Sequence, residues 1–164
     1  MFKTLKAPGV LAIVLSAAGI LMITMGTRQS LGLFMGPMNS STGLGVVTLS
    51  LALAIGQFVW GLAQPIAGAI ADRWGSRYVL FAAILSAALG LALTPFMDTG
   101  IGLGITQGIL FAGGAGAASF SILMGATAKQ VPAEARAAAS GVVNAGASVG
   151  QFILTPIIQR LIQA

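Results

Sequence analysis

The sequence predicts an all-α integral membrane fold with five transmembrane helices. Two observations carry that reading. Of 164 residues, 57% are hydrophobic and only 7% charged, with a mean hydropathy of +0.97, whereas a water-soluble domain usually carries about a quarter charged residues. The eleven charges are also spaced by apolar runs of membrane-crossing length: 21 uncharged residues from Lys6 to Arg28, 43 from Arg28 to Asp72, 20 from Arg77 to Asp98, 30 from Asp98 to Lys129 and 23 from Arg136 to Arg160. A helix needs roughly 20 apolar residues to cross the hydrocarbon core. The runs are continuously apolar and lack the dyad alternation of a membrane barrel.

Each element follows from these gaps. The 43-residue gap is too long for one span, and Gly36-Pro37 followed by Asn39-Ser40-Ser41-Thr42-Gly43 supplies a break. The expected spans are 10–35, 45–71, 78–96, 100–126 and 136–161, within a single membrane domain covering 1–164. Lys3 and Lys6 before an apolar run resemble a signal peptide. The run outlasts a signal core, however, and Gly26-Thr27-Arg28 is a poor cleavage site, so the first span is expected to be retained. Lys3, Lys6, Arg73, Arg77, Lys129 and Arg136 would lie on one side and Arg160 on the other. By the positive-inside rule the N-terminus is then cytoplasmic and the C-terminus outside, in the inner (plasma) membrane of the cell.

Composition excludes several function classes. Cysteine and histidine are absent, which removes disulfides, Cys/His metal sites and His-based catalytic pairs. No acid lies within a span to serve as a base, so no enzymatic activity and no cofactor or metal are expected. The net charge of +5 comes from scattered residues, with no basic cluster interleaved with aromatics to bind nucleic acid. The 23 glycines lie mostly within apolar runs, as in Gly113-Gly114-Ala115-Gly116 and Gly146-Ala147-Ser148-Val149-Gly150. No strand precedes them, so they read as helix-packing faces rather than as phosphate loops.

Three features carry function. The segment Gly68-Ala69-Ile70-Ala71-Asp72-Arg73-Trp74-Gly75-Ser76-Arg77 places an acid and two arginines around a glycine turn between spans two and three. Asp72 is expected to pair with Arg73, Arg77 or a helix N-terminus, Gly75 to permit the reversal, and Gly68 to let a partner helix approach. Arg28, about 27 Å along the first helix from Val10 by rise, is costly in a bilayer. It either snorkels to the outer headgroups or offers a planar cation to an anionic solute. The fifth span begins after Pro132 and Glu134 and runs through Ser140-Gly141, Asn144, Gly146, Ser148 and Gly150, its glycine and serine positions expected to form a smooth face and Pro156 to kink its outer end.

The pattern G-x-x-x-D-R-x-G-x-R between spans two and three is similar to the signature loop of the major facilitator superfamily. The stretch from Arg28 to Pro37, Trp60-Gly61-Leu62-Ala63-Gln64-Pro65 and the order of residues in the fifth span resemble the monocarboxylate porter branch. The resemblance runs over all five spans and implies a major facilitator-like helical bundle. It also implies a secondary carrier that moves a small solute by alternating access: a monocarboxylate or other organic anion, with proton coupling. By the same resemblance Arg28 handles the substrate, and Gln29, Asn144 and Gln151 are candidate polar groups lining its cavity. Gly68, Asp72, Arg73, Gly75 and Arg77 would form a cytoplasmic latch. The fourth span, around Gln107-Gly108, lacks the arginine of sugar and antiporter members, and the fifth lacks the Gly-Pro pair of drug exchangers, which argues against both.

The superfamily builds its carriers from two six-span halves, so five spans are expected to be an incomplete N-terminal half. Such a chain would be a fragment, or would act with the remaining spans or a partner chain, in contact with the lipid bilayer. The rival reading is a non-transporting truncated or accessory membrane protein that binds a partner.

Overall fold

The computed structural model describes residues 8–163, and every long element in it is a helix; there is no strand among the described residues. Five helices are long and apolar enough to cross a membrane: α1 Gly9–Thr42, α2 Val46–Trp74, α3 Ser76–Phe96, α4 Gly100–Ala128 and α5 Ala133–Gln163. Lys3 and Lys6, two of the residues behind the expected orientation, lie outside the described residues.

The expected break after Met35 does not occur there. The chain passes through a 3-10 turn at Leu31–Phe34 and continues as helix from Met35 to Thr42. Pro37 sits in the first turn of that segment, directly after the 3-10 turn, where a proline is tolerated. The reversal is confined to Gly43-Leu44-Gly45. Gly43 and Gly45 take φ of 66° and 82°, and Asn39 closes the turn by accepting from the Gly43 and Gly45 N–H groups. Pro65 and Pro156 both lie inside continuous helices.

Two helix groups form the bundle. One is the pair α1–α5, the most extensive contact in the molecule, and the other is α4 held between α2 and α3. The α1–α5 pair depends on glycine. A Cβ at Gly146 would come within 2.5 Å of the Ala18 carbonyl oxygen, one at Gly26 within 2.6 Å of the Gly150 carbonyl oxygen, and one at Gly150 would overlap the Met22 carbonyl. Backbones this close gain dispersion contacts that lipid tails cannot offer, which is how helices associate in the absence of a hydrophobic driving force. Val14, Ala17 and Leu21 of α1 meet Leu123 of α4 and Ala139 and Val143 of α5 in a buried cluster that joins the two groups.

Small residues on α4 do the same toward both neighbours. A Cβ at Gly116 would meet the Trp60 carbonyl oxygen of α2 at 2.5 Å, and one at Gly114 would overlap Ala83 of α3. Not every glycine serves this way. A methyl group added at Gly104, Gly125 or Gly141 would have no atom within 4 Å, and one at Gly68 would meet only the Ile122 side chain at an ordinary 3.6 Å. The close approach expected at Gly68 is therefore absent, and the face expected on α5 divides. Gly146 and Gly150 pack on α1, whereas Asn144, Ser148 and Gln151 are exposed on the opposite side.

Helix α4 is irregular. After Gly100–Leu103 it widens into a π-helix at Gly104–Phe111, resumes as α-helix at Ala112–Ala117, and breaks at Ala118-Ser119 before Phe120–Ala128. The π segment is wedged by Gly90 of α3, where a Cβ would lie 2.5 Å from the Phe111 nitrogen and 2.6 Å from the Thr106 oxygen. Ser86 of α3 donates to the Leu110 carbonyl at 2.9 Å, giving that oxygen a partner from the neighbouring helix.

Candidate functional site

Consecutive helices α1 and α2 separate after the Gly43-Leu44-Gly45 turn, and a cavity of about 200 Å³ opens between α1, α2 and α4. Arg28 enters it from α1, and α2 answers with Gln57 and Trp60, one helical turn apart on the same face. The guanidinium carbon lies 4.3 Å from the centroid of the Trp60 ring, a cation–π contact. Its Nη2 donates to Gln57 Oε1. The Trp60 backbone is closely packed, its carbonyl abutting Gly116 of α4.

Arg28 has no acidic partner among the described residues. Among the described residues the one ion pair joins Lys129 to Asp72. No carboxylate among the described residues offsets the guanidinium, and donors are left over after the single bond to Gln57. Because α1 continues to Thr42, Arg28 lies nearer the middle of its helix than expected. Roughly 20 Å of helical rise separates it from Thr42, too far for its side chain to reach that end. The side chain turns onto Trp60 of α2 rather than along its own helix.

Gln29 lines the same cavity, as do Gln107 of α4 and Leu53 of α2. Asn144 and Gln151 do not; they sit on the exposed face of α5 and the structure does not bring them to Arg28. A second cavity of about 470 Å³ lies toward the Asp98 end of the bundle, bounded by Met35, Met38, Met97, Asp98 and Thr94 among others. Leu31, Leu53 and Gln107 line both cavities and form the partition between them.

The loop at the opposite end is built as a tight reversal. Gly75 takes φ 93° and ψ 142°, a conformation essentially restricted to glycine. Asp72, 84% exposed, lies 3.9 Å from Lys129 at the end of α4. Neither Arg73 nor Arg77 pairs with it; both are exposed or partly so. The helix turns Arg73 away from Asp72, and a residue distant in sequence takes its place. A groove of about 380 Å³ between α2 and α4 runs from Gln64 and Ser121 to this pair.

A family model of the Major Facilitator Superfamily matches residues 10–163. The chain belongs to the major facilitator superfamily. No curated protein matches it. Family membership makes the five apolar helices transmembrane segments of a multi-pass membrane protein of the transporter type.

Sequence reasoning missed Gln57 and Lys129 as partners and left Gln107 and Trp60 without a role at the site. The available signal was polarity: Gln57 and Gln107 are among the few amides within apolar runs, and such residues in a bilayer are satisfied by a helix partner or line a cavity.

Proposed function

We propose that the chain forms part of the solute pathway of a major facilitator carrier for a small organic anion, a monocarboxylate being the simplest. Transport would proceed by alternating access with proton coupling. The observation that supports this reading is Arg28: a cation near mid-helix, oriented by Trp60 and Gln57, with no carboxylate partner, at the wall of a cavity. A guanidinium matches a carboxylate's two oxygens with parallel N–H donors. The cavity's volume of about 200 Å³ corresponds to roughly six or seven waters at about 30 Å³ each, the size of a solute with few non-hydrogen atoms.

The remaining assignments belong to the same proposal. Gln29 lines the anion site. Asn144 and Gln151 extend the polar wall where further helices, from the rest of the carrier or from a partner chain, cover α5. Gly68, Asp72, Arg73, Gly75 and Arg77 form a conformational latch on the cytoplasmic side, with the N-terminus cytoplasmic and the carrier in the inner (plasma) membrane.

The test is uptake of radiolabelled propanoate into cells expressing the carrier, driven by an inward proton gradient. Arg28→Ala should abolish gradient-driven uptake while Arg28→Lys retains part of it. Undiminished uptake in Arg28→Ala would overturn the role of this residue.

A further inference from the structure

Gln107 occupies a place that the anion site alone does not explain. It is 7% exposed and lies in the π-helical segment of α4, on the partition between the two cavities. Its amide orientation is determined by Thr94. The Thr94 hydroxyl donates its only proton to the Gly90 carbonyl at 2.7 Å and has only lone pairs left, so the Gln107 Nε2 donates to it at 2.9 Å. That leaves Gln107 Oε1 buried with no hydrogen-bond partner. An unpaired acceptor out of water is unfavourable, and a membrane interior supplies no solvent to relieve it. The Leu110 carbonyl, one turn along the same segment, is by contrast satisfied by Ser86. The uncompensated Oε1 thus lies in the partition between the two cavities.

We propose that Gln107 is a specificity-determining residue: its Oε1 accepts a hydrogen bond from an O–H or N–H carried by a solute whose anionic group is held at Arg28. The cavity therefore selects an anion that bears such a donor over the same anion without one. This inference rests on the reading of Arg28 as the anion site. Because Oε1 is buried in this structure, accepting that bond includes a turn of the Gln107 amide away from Thr94 that brings Oε1 to a cavity face. Leu31 and Leu53, which share the partition, offer a passing solute no alternative acceptor from their side chains.

Trp60 provides the readout, because it lies against the Arg28 guanidinium and is one of two tryptophans in the chain. In a background where every tryptophan but Trp60 is replaced by phenylalanine, the protein in lipid vesicles is titrated with propanoate and with 2-hydroxypropanoate, following Trp60 emission. The hydroxylated anion should bind about three- to tenfold more tightly, the value of one net hydrogen bond. Gln107→Leu and Gln107→Met, both free of the orphan acceptor, should bring the ratio of the 2-hydroxypropanoate to the propanoate affinity down to about one. Equal affinities in the parent protein, or a preference preserved in both variants, would overturn the assignment of Gln107. Unchanged propanoate affinity in Arg28→Ala would instead remove the anion site itself, so the two failures are distinguishable.

Discussion

Arg28 of α1 lies over the ring of Trp60 of α2, 4.3 Å from its centroid, and this contact bridges two helices that otherwise separate after their connecting turn. The aromatic face gives the cation an electrostatic partner without neutralising it, as a carboxylate would. A site arranged this way holds a positive charge in a low-dielectric interior and still presents it to an incoming anion.

Removing the ring should loosen that arrangement. Trp60→Leu is expected to weaken anion binding by about 2- to 30-fold, the range of a partly desolvated cation–π contact, with Trp60→Phe intermediate. Affinity of purified protein for propanoate, measured by calorimetry so that no tryptophan is needed, checks the order.

The α1–α5 contact should be intolerant of any side chain at its closest point. Gly150→Val places atoms on the Met22 carbonyl and should cost about 1–3 kcal/mol or more through overpacking. Gly141→Ala meets nothing within 4 Å and should be neutral or slightly stabilising, since alanine favours helix. Thermal denaturation of both variants in detergent would show a lowered midpoint for the first alone.

Gly75 is constrained by backbone rather than by neighbours. With φ 93° and open space where a methyl group would stand, Gly75→Ala should destabilise by about 1–3 kcal/mol through strain only. Gly68→Ala, in the same loop region, should be tolerated. A thermal midpoint for Gly75→Ala equal to that of the parent would contradict the conformation described.

Asp72 and Lys129 should couple weakly in stability. Both are largely exposed, and such pairs contribute about 0–1 kcal/mol. A double-mutant cycle with Asp72→Asn and Lys129→Gln should give a coupling in that range that shrinks with added salt. If the loop is a latch, Asp72→Asn should change the rate of propanoate uptake more than its half-saturation concentration. An effect on half-saturation alone would argue against the latch.

The parts of the site differ in how legible they were. Arg28 stood out because a charge inside an apolar run is conspicuous whatever surrounds it. Asp72 stood out with its loop, but its partner did not, because Lys129 is 57 positions away in the chain and only the packing of α4 beside α2 brings the two ends together. In sequence Asn144 is a candidate for the site and Gln107 is not, although each is an amide within an apolar run. Packing separates them, one on the exposed side of α5 and the other buried in the wall of a cavity.

The sequence by itself determined the number of helices and nearly all of their limits, because the free energy of placing a residue in a bilayer depends on that residue and its immediate neighbours. It missed one limit, the end of α1, where a polar, proline-containing stretch looked like a loop and the backbone instead stayed helical to Thr42. Tertiary structure alone decided which glycines are contacts and which merely fill space, which ring Arg28 rests on, and that Gln107 is left with an unpaired oxygen. Those properties arise from side chains on different helices meeting at a few ångströms, and periodicity along one helix does not specify what the next helix places opposite.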